Sequence, residues 1–283
     1  MTMGAFSSLW TLTQGGKDMS KRINYANGYS AIKFNGPVET FIDWCEKEYK
    51  VFKDVEIIKH IPHASLELPE SYKDDRGLIK QIAFGKNFLI NNFKMTDLFV
   101  DQIFDNIPGV VVKAKYTRLF CDVEKYRDDS LEPMSKYGQG YVYTKSYDGK
   151  TVFKRHLKCN GVDSDEEVDS YYEEHHKKLT EETKKILKRE KKVLILDLHS
   201  FSNEQALSIE KKEPFPDICI GINEGFANNE ILDAIIRRIE ANGYSYKINY
   251  PYSGSIIPNG LTKSELENVC SIMIEVNKRL YLG

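Results

Sequence analysis

The clearest hydrophobic pattern in the chain is "VLILDLHSFS" at 193–202, where an apolar run passes straight into charged and hydroxyl-bearing residues. Val193, Leu194, Ile195 and Leu196 are continuous, the pattern of a strand covered on both faces in a parallel sheet. Comparable runs stand at 55–61 ("VEIIKHI"), 109–116 ("GVVVKAKY"), 217–222 ("DICIGI"), 245–250 ("SYKINY") and 271–277 ("SIMIEVN"), and each is expected to be a strand. Between them the apolar positions recur at helical spacing. The spacing predicts a helix over 95–107, with Thr96 as its N-cap candidate. A long amphipathic helix is expected over 163–192, acidic at its start and basic at its end, as the helix dipole favours. A third helix is expected over 223–243, stopped by Asn-Gly. Strand–helix alternation of this kind predicts an α/β fold with a mostly parallel sheet. The aromatic segment 127–150 reads as an inserted active-site loop or hairpin. No repeat or low-complexity linker divides the chain, so one domain over 53–283 is expected, behind an extension over 1–52 whose role is open.

Composition narrows the class. The chain has 283 residues, 41% hydrophobic and 29% charged, which suits a globular protein rather than a disordered one. Its net charge of −2 gives no reason to expect a nucleic-acid or anionic-membrane partner. No apolar run approaches the roughly 20 residues that span a bilayer. The cysteines (Cys45, Cys121, Cys159, Cys219, Cys270) include no C-x-x-C pair, so neither a cysteine zinc site nor a disulfide framework is expected, and a reducing cytoplasm fits best. The opening "MTMGAFSSLWTLTQGGKDMSKR" lacks the basic start of a signal peptide. Its "MGAFSS" would be a myristoylation pattern only if Met3 began the chain, and Met19 is the more ordinary start.

Chemistry then concentrates on a few residues. Of His60, His63, His156, His175, His176 and His199, two directly follow strand-like runs: His63 in "IPHAS" and His199 in "DLHSFS". In open α/β sheets the ligand crevice lies at the C-terminal ends of the strands. Two imidazoles and a carboxylate with an open fourth position make a common catalytic zinc site. Glu67 and Asp97 both stand as candidates for that carboxylate. Glu275 sits inside an apolar strand, where a carboxylate is either an outward-facing residue or a functional one able to deprotonate a metal-bound water. Arg118 follows a strand and would either stabilise an oxyanion or form an ordinary salt bridge. A serine triad from Asp197, His199 and Ser200 is not expected, because side chains alternate faces along a strand and no G-x-S-x-G elbow occurs. No G-x-x-x-x-G-K-[ST] loop occurs either, and "YGQGYVY" lacks the third glycine of a nucleotide loop. "HHKK" at 175–178 is expected to be a solvated helix face rather than a metal box.

Taken in order, "IPHAS", "TDLFVDQIFD", "YTRLFCDVEKYRDD", "YYEEHHKKL", "LDLHSFS", "PDICIG", "YPYSGS" and "MIEVNKRLYL" resemble the N-formylglutamate amidohydrolase family from about Val55 to the C-terminus. The family is similar to zinc carboxypeptidases and aspartoacylase-type deacylases. The resemblance implies a single-domain three-layer sandwich of phosphorylase/hydrolase-like type, with a mixed, mostly parallel sheet between helices on both faces. It implies one Zn2+ per chain and hydrolysis of an amide of a small acidic N-acyl amino acid or short peptide. Carried over, His63, His199 and Asp97 look like the metal ligands, with Glu67 as the fallback carboxylate. Glu275 resembles the water-activating glutamate, and Arg118 the arginine facing the scissile carbonyl. Tyr252, Ser253 and Gly254 match a substrate loop. Asp197 would lie behind the ligands or line the crevice, and His176 matches a Tyr-x-x-x-His element without an assigned role. Many members read Asp-Leu-Asn-Arg where this chain reads "DVEK" (122–125), so Glu124 and Lys125 replace a pair that helps hold the substrate carboxylate in the related deacylases. Arg127 or Lys125 would then supply the cation. The departure leaves open a metallo-hydrolase for another acyl or peptidyl amide, or a binding protein that kept the crevice.

Overall fold

The computed structural model describes residues 49–73, 88–105, 107–152, 164–189, 191–209 and 211–282. The expectations for residues 1–48, for His156 and for Cys159 lie outside the described residues. Six strands form one sheet in the order β2-β1-β3-β6-β4-β5. They are β1 (Val55–Ile61), β2 (Val110–Lys113), β3 (Lys192–Phe201), β4 (Ile218–Ile222), β5 (Tyr246–Ile248) and β6 (Val269–Asn277). All neighbours are parallel except β4 and β6, so the sheet is mixed and mostly parallel, as expected.

The helices are α1 (Tyr49–Phe52), α2 (Phe88–Met95), α3 (Val100–Ile103), α4 (Ser164–Leu187), α5 (Asn203–Ser208), α6 (Asn229–Ala241) and α7 (Lys263–Leu266). They cover both faces. On one face Ile57, Ile61, Leu194, Leu196, Leu198, Ile272 and Ile274 pack with Val100 and Ile103 of α3 and Ile231, Ile235 and Ile239 of α6. On the other, Ile58, Val112, Val193, Ile195 and Val269 pack with Leu179 and Ile186 of α4. Each such aliphatic side chain contributes roughly 1.5–3 kcal/mol by leaving water. The excursion between β2 and α4 carries its own cluster, in which Leu119, Phe120, Val123, Tyr141 and Tyr143 pack with Val168 of α4. Among the described residues no helix is long and apolar enough to cross a membrane.

All three expected helices come out shorter: α4 ends at Leu187, with Lys192 already in β3, and the other two are cut for local reasons. The span 95–107 holds only the single turn of α3, because Phe99 adopts a left-handed backbone (φ 64°). Thr96 does not cap it. Its hydroxyl donates to the Asn92 carbonyl at 2.7 Å and so closes the preceding α2. The span 223–243 is helical only from Asn229, because the Asn228 side chain accepts the Ile231 amide at 3.1 Å and starts the helix there. The expected stop holds, with Gly243 left-handed at φ 76° just beyond it. The segment 127–150 is irregular, tied by an isolated bridge between Gln139 and Tyr143 and another between Lys145 and Thr151.

Candidate active site

The parallel strands β1, β3 and β6 deliver side chains to one side of the sheet with a period of two. On that face β1 carries Ile58 and then His60, β3 carries Val193, Ile195 and then Asp197 and His199, and β6 carries Met273 and then Glu275. Cross-strand register sets His60 beside Asp197 and His199 beside Glu275. Two residues beyond β1, His63 passes its carbonyl to the Asp97 amide (2.9 Å), which anchors the loop between α2 and α3 at the same strand ends.

His63, His199 and Asp97 converge. The two Nδ1 atoms are 3.2 Å apart, and Asp97 Oδ2 lies 3.3 Å from His199 Nδ1 and 3.6 Å from His63 Nδ1. The far edge of each ring is held by another carboxylate. His63 Nε2 is 2.7 Å from Asp122 Oδ1, and His199 Nε2 is 3.1 Å from Asp197 Oδ1. Asp122 is fixed in turn by Arg118 Nη2 (2.9 Å), Arg118 Nε (3.2 Å) and the Tyr143 hydroxyl (3.0 Å). Asp197 Oδ2 accepts the Ile256 amide at 2.9 Å. Burial works to raise the pKa of Asp122, but His63 and Arg118 hold it well below the ordinary carboxylate range. The same opposition, with His199 and His60 as the partners, depresses Asp197. Both carboxylates are therefore acceptors only, and each ring must donate its Nε2–H.

That tautomer leaves two bare Nδ1 lone pairs and a carboxylate oxygen facing one another. Three acceptors this close require a cation between them. Burial lowers the pKa of His199, yet Glu124, Asp197 and Asp97 outweigh it and hold the ring well above its ordinary value. Burial and Arg118 act the same way on His63, and Asp122 and Asp97 overcome them. The cluster thus holds a proton in the absence of another cation. A tetrahedral metal with bonds of about 2.0–2.1 Å has ligand–ligand edges of about 3.3–3.4 Å, so the three separations fit one. Outer carboxylates gripping the far nitrogens are the usual partners of metal-bound imidazoles.

A further carboxylate stands close. Glu124 Oε1 is 3.2 Å from His199 Nε2 and Oε2 is 3.8 Å from His63 Nε2. His63, Glu124 and His199 offer donor atoms within 4.8 Å of one another, as do His60, Glu124 and Asp197. Glu67, the fallback carboxylate, is elsewhere: it is exposed, 3.5 Å from the Lys73 ammonium.

Glu275 is buried, and its Oε2 has no hydrogen-bond partner. Burial, with Asp97 and Glu124 nearby, pushes its pKa up to about 7 against the opposing His199 and Arg118 charges. Tyr252 lies within electrostatic reach of Glu275 and Arg118, and burial raises its phenol. Gly254 approaches β4 so closely that a Cβ on Gly221 would stand 2.1 Å from its carbonyl oxygen. Ser253 is exposed. Lys125 Nζ is 3.5 Å from Glu132, and Arg127 is exposed and paired with Asp169 and, at 2.8 Å, with Glu173 of α4.

The expectation of no serine triad stands on the position of Ser200 alone, and the expectation for 175–178 is corrected. Asp197 and His199 do meet, because residues two apart on a strand share a face; Ser200 points to the opposite one. His175 is not solvated. It is buried with its Nε2 2.9 Å from His60 Nε2, while His176 Nε2 donates to the Val123 carbonyl at 2.8 Å. The signal was present: Val168, His175, Leu179 and Ile186 form one helical stripe. His60 and Asp122 were also missed. His60 follows Ile58 by two in a strand, which places it on the face Asp197 shares.

Comparison with known proteins gives the family and the fold. Residues 55–282 match the family model for N-formylglutamate amidohydrolase. A solved N-formylglutamate amidohydrolase from Ralstonia eutropha is 20% identical, covering 80% of this chain and 83% of its own, with a TM-score of 0.65, and it shares the fold. A gene product of Agrobacterium tumefaciens is 17% identical over 81% of each chain, with a TM-score of 0.48. No curated protein matches the chain. The family match spans most of the chain and the whole of the sheet, and the chain belongs to the N-formylglutamate amidohydrolase family.

Proposed function

We propose that this amidohydrolase is metal-dependent and cleaves the linear amide of a small N-acyl amino acid, with His63, His199 and Asp97 holding one zinc ion. The observation that carries the reading is the convergence of the two imidazole Nδ1 atoms and Asp97 Oδ2 at 3.2–3.6 Å. A zinc ion held there would lower the pKa of a water toward about 7 and polarise an amide carbonyl.

The chain's own residues supply the rest. Glu275, titrating at about 7, takes the proton of the attacking water and returns it to the leaving nitrogen. Its unpaired Oε2 is the atom free to do so. Arg118 places a fixed positive charge behind Asp122 and within electrostatic reach of Asp97 and Glu275, where it favours negative charge developing on the carbonyl oxygen. Tyr252, Ser253 and Gly254 would border the substrate, with Tyr252 within electrostatic reach of Glu275. Lys125 and Arg127 are the candidate partners of a substrate carboxylate, but each is already ion-paired. Those pairs, and Glu124 standing beside both imidazoles, favour a second reading in which the substrate is a different acyl or peptidyl amide.

Hydrolysis of a panel of N-formyl, N-acetyl and longer N-acyl amino acids, with acidic, neutral and basic side chains, separates the two readings. Release of a free amine from the acidic N-formyl members alone supports the first reading, and preference for another acyl group or side chain supports the second. Glu275→Gln should lower kcat by roughly 10²–10⁴-fold with zinc content unchanged. Full activity in that variant would end the mechanism.

A further inference from the structure

We propose that His60 and His175 are positioning residues of this site, forming with Asp197 a hydrogen-bonded chain from α4 to His199 that fixes the His199 ring with its Nδ1 bare. The inference rests on the reading of His199 as a metal ligand. Nothing in the mechanism above uses these two histidines, and both are buried.

The chain is continuous. His199 Nε2 meets Asp197 Oδ1 at 3.1 Å, the same oxygen meets His60 Nδ1 at 2.7 Å, and His60 Nε2 meets His175 Nε2 at 2.9 Å. Asp197 accepts three N–H groups: His60 and His199 on Oδ1 and Ile256 on Oδ2. His60 makes the shortest of these bonds and so sets where Oδ1 sits. Oδ1 in turn selects the His199 tautomer. Two ring nitrogens at 2.9 Å share one proton between a donor and an acceptor, so His175 restricts His60 just as Asp197 restricts His199. The rings of His60 and His175 meet edge to face, centroids 5.1 Å apart at 62°.

The separations also distinguish this chain from a second metal site. His60, Glu124 and Asp197 have the donor types for one. Yet His60 and Asp197 stand 2.7 Å apart, a hydrogen-bond length well inside the roughly 3.3–3.4 Å edge of a metal tetrahedron. A proton, not a metal, lies between them. The consequence is that the packing of α4 on the sheet, through Leu179 and Ile186, is coupled to the geometry of the ligand triangle.

The test compares His60→Leu with His60→Asn, and His175→Leu with His175→Gln. An asparagine amide nitrogen stands near the place of imidazole Nδ1, and a glutamine amide nitrogen near that of Nε2. Zinc affinity is read by competition with a chromophoric chelator on the full chain. The His199 tautomer is read from histidine side-chain ¹⁵N spectra of the metal-free protein at a pH high enough to remove the proton of the cluster, where the ring is neutral. The leucine variants should bind zinc about 10–100-fold more weakly, with the amide variants restored to within a few-fold of wild type. A packing role alone would not separate leucine from amide. Wild-type affinity in both leucine variants overturns the inference and leaves the metal reading standing. If His60→Leu does not fold, the His175 pair decides. If wild type takes up no zinc, the metal reading falls, and the spectra then judge the chain. An Nε2–H His199 that becomes a tautomer mixture in the leucine variants supports it, and an unchanged tautomer overturns it.

Discussion

On the sheet face that meets α3 and α6, β3 presents Leu194, Leu196 and Leu198, and β6 presents Cys270, Ile272, Ile274 and Val276. On the opposite face the same strands present Val193, Ile195, Asp197 and His199, and Val269, Ser271, Met273 and Glu275. The first face is apolar along these stretches of β3 and β6, with Lys59 of β1 and Ser200 of β3 as its buried polar exceptions. The second is apolar only over its N-terminal half, under Leu179 and Ile186 of α4, and ionisable at the strand ends. The difference separates two jobs. One face supplies uninterrupted burial, and that burial tolerates a cluster of carboxylates and imidazoles on the other that no folding requirement would select. Changes to the two faces should therefore fail differently.

The largest effect belongs to the apolar face. Leu198→Asp buries an unpaired charge where Leu198 is fully enclosed, at a cost of about 4 kcal/mol or more, and should leave little folded protein by circular dichroism. On the other face Glu275→Leu should lower kcat by roughly 10²–10⁴-fold. It should also raise the urea midpoint, because an unsatisfied buried polar group costs about 1–3 kcal/mol. A drop in both stability and activity would erase the distinction between the faces. Gly221→Ala lies where β4 touches the 252–254 loop. Its Cβ would stand 2.1 Å from the Gly254 carbonyl oxygen, so it should destabilise by about 1–3 kcal/mol and raise KM more than it lowers kcat.

A smaller effect sharpens the comparison through pH. Burial, reinforced by the neighbouring His60, pushes the His175 pKa down to about 2. The unfolded chain therefore takes up a proton that the folded chain refuses. The contribution of neutral His175 is complete above its ordinary value near 6.5 and is lost as pH falls below it, at about 1.4 kcal/mol per pH unit. Denaturation at pH 7 and pH 5 should show wild type losing more stability than His175→Gln. Equal losses would remove His175 from the buried cluster. The smallest effect is expected at Arg127, whose pairs with Asp169 and Glu173 are exposed. Arg127→Ala should leave the melting temperature unchanged, and an unchanged KM for acidic substrates would remove Arg127 from the substrate site.

Much of this division was legible in the chain. The strand at 193–202 announced itself, because four apolar residues ran into Asp-x-His at the end where parallel sheets bind ligands. Read with a period of two, Asp197 and His199 fall on one face, and so do Met273 and Glu275. Asp97 gathered with His63 and His199 because its loop is bonded to the His63 carbonyl, a contact across more than 30 residues that no local spacing encodes. Asp122 was invisible for the same reason: its partners Arg118, Tyr143 and His63 come together only when the excursion folds back. His175 was hidden by its neighbours, since "HHKK" reads as polar unless the helical stripe is followed through Val168 and Leu179. The helix boundaries failed where a single backbone or side-chain event decides them, at Phe99 and Asn228.

The central claim is that the ligand triangle holds a metal. Its most direct test is metal content by mass spectrometry on the purified wild type and on the His63→Ala/His199→Ala double variant, each after exposure to zinc. About one zinc per chain in wild type, lost in the double variant, is the expected result. No bound metal in the wild type, or equal metal in both proteins, would contradict the account.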